Sequence, residues 1–333
     1  MERAIIHSDL IKKEIHPSVL LKEYLSLLEE DIRKLLPNSL LLEESFSMTG
    51  EKDVMKIFTK MGMKYRVSQP HGNTFISLRP SLKVLKNFYM KSDARKFWLT
   101  ELWPKTQEVR LEKIILPQLT WSQGFITQYA SGNKLNLMEF LPNHWGYSMA
   151  AKNVFPEANY KMIDSLFDSN FVEGEVTVLD IVDAVEENSI DTAFLFEALD
   201  RSLDPTVLLD KVKHALRPGG LCFITCLLSS GFEVQMLSTD SDIFVPPERM
   251  NLFSFEGMLD LVKQTGGFDL LEFSTPGVLD IPNVIKKLDK IENSSFFNYI
   301  LTLRKDPVLI ESFQDFLQLN RLGTFGRLVL RKL

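Results

Sequence analysis

Residues 192–228, TAFLFEALDRSLDPTVLLDKVKHALRPGGLCFITCLL, decide the fold of this 333-residue chain. The two ends of this stretch are apolar runs of strand length, and the segment between them has apolar residues at helical spacing. That spacing predicts a helix over 205–216, because Asp204 can cap it and a proline is tolerated in its first turn. Pro218-Gly219-Gly220 predicts a tight turn into the second strand. A strand, a helix and a strand in this order are typical of parallel neighbours in a sheet that is covered on both faces.

The same alternation of strands and helices extends in both directions, beginning at about residue 121. A second helix over Ser254–Gln264 begins at a serine and ends before Gly266-Gly267. The seven strand candidates are Leu135–Phe140, Tyr160–Ile163, Val176–Leu179, Thr192–Phe196, Leu221–Leu227, Leu270–Phe273 and Arg327–Leu330. We therefore predict an α/β fold with a doubly wound, mostly parallel seven-stranded sheet.

The first 120 residues have a different pattern, which predicts a smaller α+β module over 1–120 and a main domain over 121–333. Residues 17–36 place apolar side chains at helical spacing with charges on the other face, and Pro37 stops the pattern. This amphipathic helix either docks onto the main domain or contacts a second subunit or a protein partner. Burial within the chain is the default interpretation.

Residues 54–80 are typical of short strands, and the turn signal at 70–73 predicts a small hairpin. Residues 81–113 then have a helical pattern rich in aromatic side chains, which we interpret as core or domain interface, with a sugar-stacking platform as the less favoured alternative. The aromatic residues are Phe88, Tyr89, Phe97, Trp98 and Trp103.

Composition excludes several classes of protein. The net charge is −6 and the basic residues are dispersed, so a surface for duplex nucleic acid is not expected. Cys222 and Cys226 are four residues apart on one strand candidate, too far for a disulfide, and we interpret both as core side chains. There is no secretory apolar segment near the N-terminus and no stretch of membrane-spanning length, which predicts a cytoplasmic protein.

Ligands of open α/β sheets bind beyond the carboxyl ends of the strands, near the point where the strand order reverses. The first such loop is Leu141-Pro142-Asn143-His144-Trp145-Gly146. Nucleotide-like cofactors favour small residues there, because glycines let the backbone approach the ligand. Only Gly146 meets this need, while Pro142 lacks an amide donor and Trp145 is bulky.

Acidic residues follow the next two strand candidates. Asp164 can accept hydrogen bonds from ribose hydroxyls, and Asp180 can bond an adenine amine while Ile181 packs on the ring. Exposed acids at strand ends are an equally good interpretation of both positions. The candidate cofactor-binding residues are Glu139, Asn143, Gly146, Asp164, Asp180, Ile181 and Phe196.

The order strand, acid, strand, acid, FEALDRSLDP, helix, LRPGG, strand resembles the class I S-adenosylmethionine-dependent methyltransferases, whose fold is Rossmann-like. The stretches PPERMNLFSFEG (246–257) and STPGVLD (274–280) are similar to one bacterial subgroup that carries an N-terminal zinc-ribbon module. YRVSQPHGNTFISLRPS (65–81), NFYMKSDARKFW (87–98) and LWPKTQEVR (102–110) follow the same order. The resemblance implies S-adenosylmethionine as cofactor and a sugar nucleotide or surface-glycan precursor as acceptor.

The sequence departs from that subgroup at three places. Ser68 and His71 stand where the ribbon has metal-binding cysteines, so no zinc site is expected. The glycine-rich cofactor loop is LPNHWG, and the histidine that usually follows the two prolines is Arg249.

Two hypotheses follow. In an active methyltransferase, His144 or Glu248 would be the base and Arg249 would anchor a phosphate or carboxylate of the substrate. A surface histidine, a solvated acid and a structural ion pair are the corresponding structural interpretations. The alternative is a non-catalytic relative that serves as an interaction or scaffold module. A dinucleotide-dependent oxidoreductase is poorly supported, because GxGxxG does not follow the first strand candidate.

Overall fold

The structure of the protein is a computed structural model, and it describes residues 5–6, 10, 12–37, 40–43, 53–129, 134–163, 177–179, 185–291 and 295–333. The strands are β1 Leu41–Glu43, β2 Val54–Lys60, β3 Met63–Ser68, β4 Thr74–Ile76, β5 Leu78–Pro80, β6 Asn136–Phe140, β7 Asn159–Ile163, β8 Thr177–Leu179, β9 Ile190–Phe196, β10 Leu216–Leu227, β11 Asn251–Leu252, β12 Phe268–Ser274 and β13 Phe325–Lys332.

The α-helices are α1 Lys12–Ile15, α2 Ser18–Leu35, α3 Leu82–Lys91, α4 Asp93–Phe97, α5 Trp103–Arg110, α6 Leu116–Tyr129, α7 Gly146–Val154, α8 Ala198–Arg201, α9 Pro205–Ala215, α10 Phe232–Leu237, α11 Phe255–Thr265, α12 Asp280–Ile285, α13 Ser295–Asn298 and α14 Pro307–Leu319. π-helical turns occupy Trp98–Leu102, Leu111–Ile115 and Tyr299–Leu303, and 3₁₀ turns occupy Ser238–Asp240 and Leu288–Lys290.

The central sheet has seven strands in the order β12-β13-β10-β9-β6-β7-β8. β13 is antiparallel to both of its neighbours, and the other strands run parallel to one another. The chain proceeds outward from β6 to β8 and then returns to β9 on the other side of β6, so the strand order reverses between β6 and β9. All seven predicted strands and the doubly wound α/β fold are therefore confirmed.

Two apolar cores cover the faces of this sheet. One face packs against α9 and α11 through side chains such as Leu209 and Met258, and the other packs against α5, α6 and α7. Phe194 and Phe223, on neighbouring strands, are fully buried on the second face. Burying each such ring contributes about 1.5–3 kcal/mol. Cys222 and Cys226 are buried free thiols of β10, as predicted.

The helix signals were also correct, because Asp204 accepts a hydrogen bond from Val207 N and Ser254 accepts one from Gly257 N. The prediction of a turn at Pro218-Gly219-Gly220 is wrong, because these residues lie within a strand. Strand β10 already begins at Leu216, and the three residues form a bulge within it, with Gly219 at φ +78°. A glycine suits this position because side-chain-bearing residues rarely adopt a positive φ.

A four-stranded sheet in the order β11-β4-β3-β2 forms in the N-terminal part, where a hairpin was predicted. β11 comes from a distant part of the chain and pairs with β4 in an antiparallel register, Asn251 opposite Phe75. Position 120, the predicted end of the N-terminal module, lies inside α6. The division into two domains remains a prediction.

Buried polar contacts join this small sheet to the main sheet's helices. The side-chain oxygen of Asn73 accepts a hydrogen bond of 2.9 Å from Ser254 N, the residue that caps α11. Gly257 faces the same amide, and a Cβ built on it would lie 1.9 Å from Asn73 Oδ1. The two parts of the chain therefore meet at a position where only glycine fits.

The amphipathic helix α2 packs within the chain, since Leu28 and Ile32 are buried in a core shared with the small sheet. A role in subunit contacts remains a prediction.

His71 Nε2 lies 2.7 Å from Asp260 Oδ2, and the hydroxyl of Ser68 donates to the carbonyl of Asn73. In the part of the chain that the structure describes, no helix combines the length and the apolar character that a membrane span requires.

Candidate functional site

Two loops meet where the strand order reverses, one after β6 and one after β9. Leu141 and Glu197, the first residues after these strands, both have left-handed backbone conformations, with φ of 48° and 53°. The guanidinium of Arg201, at the end of α8, donates a hydrogen bond to the carbonyl of Leu141. The candidate site is therefore built from two loops that one buried side chain joins.

Contacts within the protein use several backbone groups of the first loop. Leu141 N donates to Ile163 O, Arg95 donates to Asn143 O at 3.0 Å, and Gly146 N donates to His144 Nδ1 at 3.1 Å. Pro142 has no amide hydrogen. The amides of Leu141 and Gly146 are therefore not available to a ligand, in contrast to a glycine-rich loop whose amides face the ligand.

Stacked rings cross the base of the site. His144 lies 4.4 Å from Trp103 and 5.4 Å from Tyr147 between ring centroids, and Tyr147 lies 4.2 Å from Phe196. A Cβ on Gly146 would lie 2.6 Å from Trp103 Cη2 and from a methyl group of Ile115. The glycine at the start of α7 therefore allows these rings to pack closely against the loop.

His144 is neutral and has a defined tautomer. Burial lowers its pKa well below the usual range, and the charges of Arg110, Arg201 and Arg95 lower it further. Because Nδ1 accepts the hydrogen bond from Gly146 N, the ring proton belongs on Nε2. His144 therefore presents a donor at Nε2, whereas proton abstraction at that atom would require the other tautomer.

Arg249 lies between two acids of the second loop. It donates to Glu197 and lies 3.7 Å from Asp200 Oδ2, and Asp200 is fully buried. Burial alone would raise the pKa of Glu197, but Arg249, Arg201 and Arg110 together lower it. Burial raises the pKa of Asp200 to about 7, with Arg249 opposing the shift and Glu197 adding to it.

The Asp200 carboxyl predicts a pH-dependent stability. In the unfolded chain it ionises near its ordinary pKa of 3.8, whereas in the folded protein it keeps its proton up to about pH 7. Folding stability therefore falls from pH 4 to pH 7, by up to about 1.4 kcal/mol per pH unit from this group, and becomes independent of it above pH 7. Asp200→Asn should remove this slope, because an amide does not ionise. The variant should be more stable at pH 7 by only about 1–2 kcal/mol, because the ion pair with Arg249 is lost together with the cost of burying the charge. Urea unfolding across this pH range measures both effects, and an unchanged slope in the variant would contradict the assignment.

Polar side chains from the N-terminal segment and from the loop before β11 line the other side of the site. Glu248 and Tyr89 are half-buried, and among the described residues Glu248 Oε2 and the Tyr89 hydroxyl have no hydrogen-bond partner. Burial raises the pKa of Tyr89 well above its usual range, and the charge of Glu248 adds to the shift. His16 Nδ1 also lacks a partner, and burial together with Arg110 lowers the pKa of His16 to about 3. These atoms are suited to bind the hydroxyl groups of a ligand.

The remaining predicted residues lie in two places. Glu139 is buried on β6, where the Tyr160 hydroxyl donates to it at 2.8 Å. Asp164, Asp180 and Ile181 lie outside the described residues. The strands that precede them, β7 and β8, are parallel and end in register, with Ile163 opposite Leu179.

Comparisons with known proteins give structural similarity only. No protein-family model and no curated protein matches the chain. A Haemonchus contortus phosphoethanolamine N-methyltransferase 2 with S-adenosylhomocysteine shares 14% identity, over 84% of this chain and 71% of that one, with a TM-score of 0.45. A putative sarcosine dimethylglycine methyltransferase from Galdieria sulphuraria shares 15%, over 65% and 86%, with a TM-score of 0.41. The [4+2]-cyclase SpnF shares 14%, over 64% and 80%, with a TM-score of 0.39.

The fold is Rossmann-like, of the methyltransferase type. This assignment depends on the strand order and on the antiparallel β13 described above. A fold does not by itself specify a reaction.

Three arginines at the site were not predicted as site residues. Arg95, Arg110 and Arg201 lie in α4, α5 and α8, and their charges all act on His144. Their charge alone does not identify them, because a single sequence does not show which long side chains converge.

Proposed function

We propose that the protein is an S-adenosylmethionine-dependent methyltransferase whose acceptor is an anionic, hydroxyl-rich molecule such as a sugar nucleotide or surface-glycan precursor. The observation that carries this proposal is the charged cluster where the strand order reverses, because α/β sheets of this type bind ligands there. Arg95 and Arg201 bond carbonyls of the first loop, and Arg249 bonds Glu197 at the start of the second. Ionisable groups with strongly shifted pKa values are typical of functional sites.

The described residues fit the amino-acid end of the cofactor. Its carboxylate suits the guanidinium donors, and its ammonium group suits the half-buried Glu197. We assign the nucleoside end to Asp164, Asp180 and Ile181, with Glu139, Asn143, Gly146 and Phe196 enclosing the site. Because the amides of Leu141 and Gly146 already have partners and Pro142 has no amide hydrogen, we expect side chains to supply most of the contacts. When bound, S-adenosylmethionine supplies an electrophilic methyl group on its sulfonium.

Glu248 is our candidate for the group that removes a proton from the acceptor. Its Oε2 has no hydrogen-bond partner among the described residues, so this atom can accept the proton of an acceptor hydroxyl. Arg249 donates to the Glu248 carbonyl and to the Glu197 carboxylate, which makes it a positioning residue. We assign His144 the role of a hydrogen-bond donor through Nε2.

Titration calorimetry with S-adenosylhomocysteine tests this proposal. We expect a Kd of about 1–100 μM and a loss of about 10- to 100-fold in Asp164→Ala, because a ribose hydrogen-bond acceptor is removed. Asp289→Ala is the control, since that acid is exposed. With S-adenosylmethionine and a panel of sugar nucleotides, Glu248→Gln should lose about 10²- to 10⁴-fold in kcat while it retains cofactor binding.

One observation favours a second function, a non-catalytic interaction or scaffold module. Trp103 and Ile115 fill the space beside Gly146, and Arg95 and Arg201 already bond the carbonyls of the first loop. If the folded protein shows no heat with millimolar S-adenosylhomocysteine and transfers no methyl group to the panel, this alternative replaces the enzyme.

A further inference from the structure

We infer that Arg110, Arg201 and the Nε2–H of His144 form an anion subsite beside the first loop, which binds a carboxylate or phosphate group. This inference deepens the proposed function and depends on it for one of its two ligand sources. The carboxylate of the cofactor and a phosphate of the acceptor share the chemistry that such a subsite recognises.

Arg201 is a buried cation without a carboxylate partner. Arg201 is only 5% exposed. Within the described ranges, neither Arg201 nor Arg110 has a carboxylate oxygen within 4.0 Å of its guanidinium group. Arginine is almost never fully buried unless it is paired, because a desolvated charge without a counterion is costly. A ligand anion at this position would compensate that cost.

The two guanidinium groups keep donors for a ligand. Arg201 donates through Nη2 to Leu141 O, and Arg110 donates through Nε to Thr106 Oγ1 at 2.9 Å and through Nη2 to Ile15 O at 2.5 Å. Each guanidinium has five N–H donors, so four on Arg201 and three on Arg110 are not used by these contacts. Both donor sets come from helices that frame the first loop.

The electrostatic surroundings favour an anion over a cation. Arg201 bonds the carbonyl of Leu141 in the first loop, and Arg110 lies on α5, whose Trp103 stacks on His144 of that loop at 4.4 Å. The charges of both arginines act on His144. Glu197 is already engaged by Arg249, so it does not neutralise Arg110 and Arg201 fully. His144 is neutral and offers its Nε2 proton, which makes it a third donor.

Calorimetry with three probes tests the subsite. The probes are S-adenosylhomocysteine, 5′-methylthioadenosine, which lacks the amino-acid carboxylate, and inorganic pyrophosphate. The variants are Arg110→Met and Arg201→Met, and Arg33→Met is the control because that side chain is exposed on α2. A thermal melt measures whether each variant is folded. If Arg201→Met does not fold, Arg110→Met still tests the subsite.

The outcomes separate the two sources of the anion. If the cofactor carboxylate binds, S-adenosylhomocysteine binds more tightly than methylthioadenosine, and the arginine variants lose about 10- to 100-fold in affinity for the former only. If an acceptor phosphate binds, pyrophosphate affinity falls in the variants while the two nucleosides bind alike. Pyrophosphate binding that depends on the arginines without any nucleoside binding would support the subsite and reject the methyltransferase. Unchanged affinities for all three probes in folded variants would overturn the subsite, even if S-adenosylhomocysteine binds.

Discussion

Arg249→Met should lower the free energy of unfolding by about 3–5 kcal/mol at pH 7, because it leaves two acids without their shared cation. Glu197 accepts a hydrogen bond from Arg249, and the fully buried Asp200 lies 3.7 Å from it. Once the guanidinium is gone, the pKa values of both carboxyls rise. Ionising these carboxyls then destabilises the folded state relative to the unfolded chain. Urea unfolding followed by circular dichroism measures the loss.

The pH dependence of this variant separates charge from packing. Asp200 already keeps its proton up to about pH 7, so the charge that the variant leaves unpaired is mainly that of Glu197. Protonation of Glu197 at lower pH should reduce the loss, since a neutral carboxyl no longer needs the cation. The double variant with Glu197→Gln should recover part of the stability at pH 7. Arg33→Met, which removes an exposed arginine 4.0 Å from Glu30, should change stability by less than about 0.5 kcal/mol. A loss that is equal at pH 5 and pH 7 would show that packing, not charge, is responsible.

Gly257→Ala should destabilise the protein by about 3 kcal/mol, because its methyl group would overlap the buried amide of Asn73. To avoid the overlap, Asn73 must move away from Ser254 N, and a buried hydrogen bond between the small sheet and α11 is lost. Thermal unfolding of the variant and the parent protein measures the effect.

Two further variants make this prediction specific. Shortening the partner in Asn73→Ala/Gly257→Ala removes the overlap, so the double variant should be more stable than the sum of the single losses predicts. At Gly124, in α6, a Cβ would meet nothing within 4 Å, and Gly124→Ala should be neutral or stabilising by up to about 1 kcal/mol. Equal losses at positions 124 and 257 would mean that close approach is not the cause.

The fold was predictable because its signals are local. Apolar runs marked all seven strands of the sheet, and Asp204 and Ser254 marked the starts of α9 and α11. The exception was the turn at 218–220, where a Pro-Gly-Gly sequence forms a bulge inside β10. Turn residues and bulge residues are alike, since both need glycine at a positive φ, and pairing with β9 and β13 decides between them.

The site was predictable only in part. The two loops that form it were predicted from the rule for open sheets, and the structure brings Leu141 and Arg201 together there. Arg95 and Arg110 were missed because their roles depend on helices that pack across the loop, and helical periodicity does not specify where a long side chain ends. The sequence shows that Trp145 is unusually bulky for a cofactor loop, but Trp103, whose ring packs edge-to-face with Trp145, lies 42 residues earlier.

The strand β11 has a consequence for how the chain is made. A ribosome completes β4 at Ile76. It reaches Leu252, the last residue of the strand that pairs with β4, only 176 residues later. At a synthesis rate of about 5–20 residues per second, one edge of the small sheet stays unpaired for roughly 9 to 35 seconds. During that interval β4 offers unpaired amide and carbonyl groups to any extended chain nearby, so the order of synthesis exposes this edge before the protein can cover it.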